Sequence, residues 1–347
     1  MDKKQPPKGQ GAQQNEINRF DRYHYSPEDE PVPREKTTFT EVFPKTIVNT
    51  VKSTDLPMDY SLNPYQGCEH GCSYCYARPT HEYLGYSAGL DFERKIMVKS
   101  SAPALLEKFF RKKGYAPSPI ILSGNTDPYQ PIERKLEITR KLLTLFRDYR
   151  HPVSIITKNA LILRDLDILA PLAEQNLVQV NLSLPTINED LRKVMEPRTS
   201  TVEQKLKTIE KLSEAGIPVK ILCAPVIPGL NAEEGLLLYK TAAEKGAMDA
   251  RHLLIRLNDT VQPIFTRWLE AHFPDRAEKV LNQIRALHGG HLGEKKAFLR
   301  YKGQGPIAEL IHTTYRLARK KYFGKATIPE LSTQHFTGSK SQQLRLF

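Results

Sequence analysis

The chain has few cysteines and no long apolar stretch, and both absences limit the classes of protein to which it can belong. Four cysteines in 347 residues are too few for the disulfide framework of a small secreted protein. No apolar run approaches the roughly 20 residues that span a bilayer, and the N-terminus (MDKKQPPKGQGAQQNE) lacks the apolar core of a secretory signal. These absences favour a protein of the cytoplasm, where clustered cysteines bind metals or take part in catalysis.

The chain also lacks the GxGxxG motif that follows the first strand of a dinucleotide-binding fold. It has instead a repeated unit in which a short β-branched run precedes an amphipathic stretch. The runs span residues 119–124, 152–157, 177–184, 217–227 and 251–258, and the amphipathic stretches span residues 102–114, 132–149, 163–175, 201–216 and 231–246. With the segment before the cysteines, the pattern gives about six strands. It indicates an α/β fold with a parallel sheet, arranged as a barrel or a partial barrel.

The polarity of the remaining segments predicts the domain organisation. Residues 1–40 are rich in proline, glutamine and charge, so we expect a disordered N-terminal tail before a core domain at 45–260. Helical patterns beyond the core predict a helical C-terminal extension over residues 261–326. The polar residues 327–347 predict a flexible tail.

Basic charge is concentrated in the C-terminal extension. The chain has a net charge of +12, and nine Lys and Arg residues lie between 295 and 325 against one acid, Glu309. The aromatic residues interleaved with them are Phe298, Tyr301, Tyr315, Tyr322 and Phe323. Such a region suits phosphate contact and base stacking in a nucleic-acid partner, although lysines that only solvate a helix face give the same pattern.

Three of the four cysteines lie in the stretch NPYQGCEHGCSYCYARP, at Cys68, Cys72 and Cys75. A structural zinc site needs four protein ligands, which His70 or His81 could complete. A [4Fe-4S] cluster that is held by three thiolates has one iron left open to a substrate or cofactor. The spacing C-x3-C-x2-C therefore leaves zinc and an iron–sulfur cluster as alternatives.

The same stretch resembles the signature of the radical S-adenosylmethionine (SAM) enzymes, which is C-x3-C-x-aromatic-C with Tyr74 in the aromatic position. Over residues 55–260 the resemblance implies a partial (β/α)6 barrel of the TIM type. The motifs TDPYQPIE (126–133), MEPR (195–198) and APVIPGLN (224–231) are similar to those of the spore photoproduct lyase-like branch. They are closer still to bacterial "DNA repair photolyase-like" proteins, from about residue 35 to 325.

The resemblance implies a cofactor set and a chemistry. Cys68, Cys72 and Cys75 would bind three irons of a [4Fe-4S] cluster, and the amine and carboxylate of SAM would bind the fourth. An external electron donor of the flavodoxin or ferredoxin type would supply one electron. Reductive cleavage of SAM would then give a 5′-deoxyadenosyl radical that abstracts hydrogen from a substrate.

The resemblance also suggests residues that contact SAM. Thr126 and Asp127 would lie near the SAM amine, and Asn181 and Ser183 would lie near the ribose and the carboxylate. Arg198, beside Glu196, is a candidate partner for the carboxylate, because a guanidinium binds a carboxylate with two hydrogen bonds. The candidates for adenine packing are Val226 and Ile227. An ordinary loop cap or core residue is the alternative at each of these positions.

The implied substrate is a damaged or modified nucleic acid. The photoproduct lyase that the chain resembles returns a hydrogen atom from a cysteine after the cluster, whereas this chain has no cysteine between residues 76 and 222. Cys223 lies on a predicted strand, where a core residue is the ordinary role. A radical SAM enzyme acting on a small molecule or a protein, and a non-enzymatic protein with a structural metal, remain alternatives.

The chain ends in QLRLF, which resembles the peptide by which bacterial replication and repair proteins bind the sliding clamp. The residues that match are Gln343, Leu344, Leu346 and Phe347. A tail that presents two apolar side chains to a pocket, with a glutamine to fix the register, is a reasonable anchor. A polar tail that happens to end in apolar residues is the alternative.

Overall fold

The computed structural model describes residues 9–20, 36–54, 58–257, 259–324 and 327–338, which form ten strands and twelve α-helices. The strands are β1 (Thr38–Glu41), β2 (Val48–Thr50), β3 (Tyr60–Leu62), β4 (Tyr65–Gln66), β5 (Lys95–Val98), β6 (Ile120–Leu122), β7 (Val153–Thr157), β8 (Val178–Ser183), β9 (Val219–Val226) and β10 (Asp249–Leu254). The helices are α1 (Leu90–Arg94), α2 (Ala102–Phe110), α3 (Glu133–Leu136), α4 (Ile138–Asp148), α5 (Leu166–Glu174), α6 (Glu189–Met195), α7 (Val202–Glu214), α8 (Gly235–Glu244), α9 (Val261–His272), α10 (Ala277–Leu287), α11 (Leu299–Lys302) and α12 (Gly305–Phe323). Short 3-10 helices span Arg78–Leu84, Ala160–Asp165 and Ala232–Glu234.

The main sheet has seven strands in the order β10-β9-β8-β7-β6-β3-β2. Six of its strands, β3 and β6 to β10, are parallel to one another. The seventh, β2, lies at one end and runs antiparallel to β3. Because β10 and β2 form the two ends of this sheet, the barrel is open between them. The predicted α/β fold with a partial barrel of six parallel strands is confirmed. A second sheet has the strand order β1-β5-β4. Its strand β4 leads directly into the loop that carries the three clustered cysteines.

The two faces of the main sheet differ in polarity, as the alternation along β8 illustrates. Val178, Val180 and Leu182 are fully buried against the helices, whereas Gln179 and Asn181, on the opposite face, are partly exposed. Successive side chains of a strand point to opposite faces, so the second face lines the open interior of the partial barrel. Burying each of the larger apolar side chains stabilises the fold by about 1.5–3 kcal/mol.

The C-terminal extension packs on the barrel through its aromatic residues. The ring of Tyr315 on α12 lies 5.3 Å from that of Tyr239 on α8, and Phe323 is also buried there. These two aromatic residues of the basic stretch therefore belong to the core and are not available to stack on bases. The thiol of Cys223 lies 3.5 Å from the hydroxyl of Tyr315, so Cys223 faces the helices as a core residue.

Residues 9–20 differ from the prediction of a disordered tail over residues 1–40. They have no regular secondary structure, yet Ala12 is fully buried and Asn18 is almost fully buried. Further along, β1 pairs in parallel with β5 from Thr38 onwards. The physical reason is that buried acidic side chains of the core bind the backbone of this polar segment, so it needs few apolar residues to remain attached. No α-helix in the described part of the chain is both long enough and apolar enough to cross a membrane.

Candidate functional site

The three clustered cysteines lie on the loop between β4 and the 3-10 helix at Arg78–Leu84. All are free thiols, and Cys68 and Cys72 are buried while Cys75 is partly buried. Burial raises the pKa of Cys72, and the nearby charges of Glu196 and of the other two cysteines raise it further. Burial also raises the pKa of Cys75.

This donor set suits an iron–sulfur cluster. The thiols are close enough to affect one another electrostatically, and metal binding would replace their protons and neutralise the thiolates. In the described ranges, no three His, Cys, Asp or Glu side chains are arranged around a single metal ion. A [4Fe-4S] cluster does not require that arrangement, because each cysteine binds a different iron.

Two glycines allow the cysteine loop to pack closely on its support. Gly67 and Gly71 have φ angles of 80° and 67°, in the left-handed region that favours glycine. A Cβ atom at Gly67 would lie 2.8 Å from Cε1 of His81, and one at Gly71 would lie 2.7 Å from Oε2 of Glu93. A side chain at either position would therefore displace the loop from the elements that support it.

A fully buried ion pair between Arg78 and Glu93 supports the cysteine loop. The guanidinium of Arg78 donates hydrogen bonds of 2.8 and 3.1 Å to the carbonyl oxygen of Cys72, and a further one of 2.5 Å to the carboxylate of Glu93. Both side chains are inaccessible to solvent. Such a pair is costly to break, because the remaining charge would be left buried without a partner.

The same Glu93 also binds the N-terminal segment, residues 9–20, which we call the strap. Its carboxylate accepts hydrogen bonds from the backbone N–H groups of Gly11 and Ala12 at 3.3 and 2.8 Å. A Cβ atom at Gly11 would lie only 1.8 Å from the carbonyl oxygen of Gly71. Only glycine fits at Gly11, where the strap crosses the cysteine loop, and nothing in the sequence pattern indicated this contact.

Thr126 and Asp127, which were predicted to lie near the SAM amine, lie beside the cysteine loop, and their side chains support that loop. The hydroxyl of Thr126 donates to the carbonyl oxygen of Gly67 at 2.6 Å. Asp127 accepts hydrogen bonds from the hydroxyl of Thr157 at 2.7 Å and from the backbone N–H of Lys158 at 2.8 Å. Contact between these residues and SAM stays a prediction.

The two histidines that could have completed a zinc site have other partners. Nδ1 of His70 lies 3.4 Å from Oδ2 of Asp127. Burial works to lower the pKa of His70, but Asp127 and the neighbouring Cys68 raise it to about 10. Nε2 of His81 lies 2.8 Å from the carbonyl oxygen of Lys95. Both histidines are thus used to hold the loop together.

Tyr74, in the aromatic position of the motif, is part of a buried ionic network. Its hydroxyl donates to Glu196, whose carboxylate also pairs with Lys158 at 3.1 Å and with Lys205 at 2.7 Å. Burial works to raise the pKa of Glu196, but the two lysines and the hydrogen bonds hold it well below its usual range. Sequence reasoning missed both lysines, although Lys158 immediately follows the end of β7, where barrel enzymes carry their site residues.

The remaining predicted SAM contacts lie in two places. Nε of Arg198 donates to the carbonyl oxygen of Gly9 at 2.8 Å, and its Nη1 donates to that of Glu69 at 3.3 Å, which places this residue between the cysteine loop and the strap. Asn181 lies inside the partial barrel and donates to the hydroxyl of Ser154 at 2.8 Å. Ser183 ends the same strand, β8. Contact between these three residues and SAM stays a prediction.

The two candidates for adenine packing are both buried. Val226, at the end of β9, belongs to the main core. Ile227 lies in a second apolar cluster, against which Tyr74 packs. The second candidate therefore lies on the cysteine-loop side of the barrel.

The model of the radical SAM superfamily matches residues 62–242, which include all three cysteines and five of the six parallel strands in full or in part. The chain belongs to the radical SAM superfamily. It is therefore a radical SAM enzyme, and the enzymes of this family use a [4Fe-4S] cluster and SAM. The resemblance on which the sequence analysis relied is confirmed at this level.

Relatives and solved structures agree with this assignment. An uncharacterized protein of Mycobacterium tuberculosis is 34% identical over 241 residues, which cover 69% of this chain and 71% of that protein. An uncharacterized protein of Methanocaldococcus jannaschii is 28% identical over 264 residues, or 76% of this chain and 89% of that one. Spore photoproduct lyase complexed with a dinucleoside spore photoproduct has the same fold, with a TM-score of 0.59, 17% identity, and coverage of 82% of this chain and 79% of that one.

Proposed function

We propose that this radical SAM enzyme acts on a nucleic-acid substrate, which carries a damaged or modified base. Cys68, Cys72 and Cys75 would hold the [4Fe-4S] cluster, and SAM would bind at its open iron. When bound, these cofactors would supply the radical chemistry by which the family abstracts a hydrogen atom from its substrates. Spore photoproduct lyase, which has the same fold, has been solved with a dinucleoside photoproduct and with AdoMet, and this supports both the substrate class and the cofactor.

In this proposal the chain's own residues orient the cofactors and exclude water. The Tyr74–Glu196 contact and the Arg78–Glu93 pair fix the cysteine loop on both sides. Arg198 and Ser183 would bind the carboxylate or the ribose of SAM, and Asn181 would do so from inside the partial barrel. Thr126 and Asp127 would keep the loop in position while SAM binds.

The observation that carries the substrate class is a set of stacked side chains at the mouth of the barrel. We call Tyr76, Arg256, Arg300 and Tyr301 the mouth cluster. The Arg256 guanidinium lies 4.8 Å from the ring centroid of Tyr301 and 5.7 Å from that of Tyr76. The Arg300 guanidinium lies 4.8 Å from the ring of Tyr301.

The mouth cluster joins the basic extension to the cysteine loop. Tyr76 directly follows Cys75 and is half exposed, Arg256 lies just beyond β10, and Tyr301 is on α11. Aromatic and guanidinium planes are the groups on which unpaired bases stack, and arginine also contacts phosphates. A base that is turned out of its helix could therefore stack here, within reach of the site that generates the radical.

Reversing one charge of the mouth cluster is expected to weaken nucleic-acid binding. Arg256→Glu should reduce the affinity of the anaerobically reconstituted enzyme for a fluorescein-labelled single-stranded 12-mer by about 10-fold or more, because each stacked base contributes about 1–3 kcal/mol. Fluorescence anisotropy at two salt concentrations measures this. Lys240→Glu on α8 introduces the same charge change on an exposed helix and is the matched control.

Two outcomes would contradict the substrate assignment. One is equal binding by the wild type and the Arg256→Glu variant. The other is release of 5′-deoxyadenosine that does not respond to damaged DNA, to tRNA or to any other nucleic acid, but does respond to a small molecule or a peptide.

We also propose that the C-terminus binds the sliding clamp, which would bring the enzyme to DNA. Residues 343–347 lie outside the described part of the chain, so the proposal rests on the motif Gln343, Leu344, Leu346, Phe347. The double variant Leu346→Ala/Phe347→Ala is expected to lose binding to purified bacterial clamp in surface plasmon resonance, because the two apolar anchors are removed. Arg345→Ala, at the variable position of the motif, should bind normally. Undiminished binding of the double variant would disprove the proposal.

A further inference from the structure

Four apolar side chains are exposed on the strap and on the 3-10 helix after the cysteines, where these two segments meet. Ile17, Phe20, Tyr83 and Leu84 are 68%, 53%, 72% and 43% exposed. We call them the strap patch. The rings of Phe20 and Tyr83 contact each other in a tilted arrangement, with centroids 5.1 Å apart and an angle of 37° between the planes. Exposed apolar groups that are clustered in this way are typical of interaction sites.

The strap patch is attached rigidly to the protein beneath it. The amide of Asn18 donates to the carbonyl oxygens of Glu82 and Tyr86 at 3.0 and 3.3 Å. Nε of Arg19 lies 3.1 Å from the buried carboxylate of Glu82. The strap and the 3-10 helix therefore present their apolar side chains as one surface.

This surface lies directly over the cysteine loop. The 3-10 helix starts three residues after Cys75. Its fully buried His81, two residues before Tyr83, packs so closely on Gly67 that a Cβ there would be 2.8 Å away, and Gly67 precedes Cys68. The contact continues through Phe92, whose ring is 5.2 Å from His81 and packs against Cys68. The path from the surface to the thiols therefore passes through the packed rings of His81 and Phe92.

The charged groups that reach the surface at the strap patch are cations, and the carboxylates paired with them are buried. The guanidinium of Arg19 is 4.9 Å from the ring centroid of Phe20 and 5.8 Å from that of Tyr83, and its side chain is 44% exposed. The carboxylate that pairs with it, on Glu82, is fully buried. Lys95, partly exposed, lies over the ring of the neighbouring Tyr86 and pairs at 3.1 Å with the buried carboxylate of Asp91. An acidic partner with an apolar centre complements such a surface.

We propose that the strap patch is the docking site of an acidic single-electron carrier protein, of the flavodoxin or ferredoxin class, that reduces the cluster at Cys68, Cys72 and Cys75. One electron leaves the reduced carrier and enters the oxidised cluster, and no bond forms or breaks in this step. The proposal rests on the cluster assignment and is independent of the nucleic-acid substrate.

The test measures how fast the reconstituted holoenzyme is reduced. In anaerobic stopped-flow experiments with reduced bacterial flavodoxin, Tyr83→Ser and Arg19→Glu should each lower the second-order rate of cluster bleaching by about 10-fold, because electrostatic and apolar docking sets such rates. For Arg19→Glu the dependence of the rate on salt should also weaken. Reduction by dithionite, which needs no docking site, should be unchanged in both variants. Leu237→Ser, which alters an exposed apolar residue on α8, is the control.

Several outcomes would overturn the proposal. Wild-type rates with flavodoxin in both variants would do so directly. Equal slowing with flavodoxin and with dithionite would show that the substitutions disturb the cluster itself. Loss of a dimer in analytical ultracentrifugation, with unchanged electron-transfer rates, would assign the patch to a second copy of the chain. A preparation that binds no iron would instead disprove the cluster assignment, and a missing response to nucleic acid would affect only the proposed substrate.

Discussion

Replacing Cys72 by alanine is expected to abolish the cofactor chemistry while leaving the barrel folded. Only three thiols are present on the loop, so the variant should retain far less than the about four irons per chain of a [4Fe-4S] cluster. Release of 5′-deoxyadenosine on reduction with SAM should fall by more than about 100-fold, since losing even an outer partner of a metal ligand costs 10–100-fold. Iron and sulfide analysis after anaerobic reconstitution, with chromatographic detection of 5′-deoxyadenosine, measures both effects.

Cys223→Ala is the matched control for this experiment. Cys223 is equally buried, but its thiol faces the hydroxyl of Tyr315 and the carbonyl oxygen of Pro185. This variant should bind a full complement of iron and release 5′-deoxyadenosine at the wild-type rate. Tight zinc binding by the wild type, with no deoxyadenosine formed, would contradict the cluster assignment.

The barrel could be predicted because its signals are local and repeated. The stretch LVQVNLSL at 177–184 alternates between buried and open faces as β8, and the amphipathic stretches between the runs became helices. The cysteines were equally accessible to sequence reasoning, since three ligands in eight positions describe a site without any tertiary information.

The residues that support the cysteine loop could not be predicted from the sequence, because their contacts join segments that are far apart in the chain. Gly11 and Gly71 are 60 residues apart, yet their backbones touch, and a glycine in a polar N-terminal segment gives no sign of this. Lys205 is a helical lysine that composition would place in solvent, but it is fully buried against Glu196. Only the fold shows that the lysine has a partner.

The basic extension shows the same limit. Sequence reasoning grouped its aromatic residues by their proximity to lysines and arginines. Packing divides them, because Tyr315 is in the core beside α8, whereas Tyr301 lies between Arg256 and Arg300 at the mouth. Which aromatic residues can meet a substrate is decided by how each helix packs, since α12 buries Tyr315 against the barrel and α11 places Tyr301 beside Arg256.

Glu196→Gln is expected to destabilise the protein strongly. Glu196 is the anion that balances Lys158 and Lys205, and it and Lys205 are fully buried. Burial lowers the pKa of Lys205, and Glu196 works against this effect. Neutralising the glutamate would leave buried positive charge without a partner, which costs about 3–5 kcal/mol in the free energy of unfolding.

Urea denaturation of the apo chain at pH 7, followed by tryptophan fluorescence, measures this change. Trp268 is the single tryptophan and is fully buried. Its indole N–H donates to the carbonyl oxygen of Val194, two residues from Glu196. Its fluorescence therefore reports on the surroundings of Glu196. Lys211→Met, which removes an exposed ion pair with Glu214, should leave the free energy of unfolding nearly unchanged, because exposed ion pairs contribute little to stability. Equal stabilities of the Glu196→Gln variant and the wild type would show that the network contributes no net stability.

The same variant should change how stability depends on pH. The folded protein holds the pKa of Glu196 below its ordinary value of 4.5. The carboxylate's contribution is therefore fully present above about pH 4.5 and is lost as the pH falls from there through the folded-state pKa. Between pH 6 and 3 the wild type should lose stability more steeply than the Glu196→Gln variant, so the difference between them should shrink on acidification. A difference that stays constant over this range would mean that Glu196 stabilises the fold through its shape and hydrogen bonds and not through its charge.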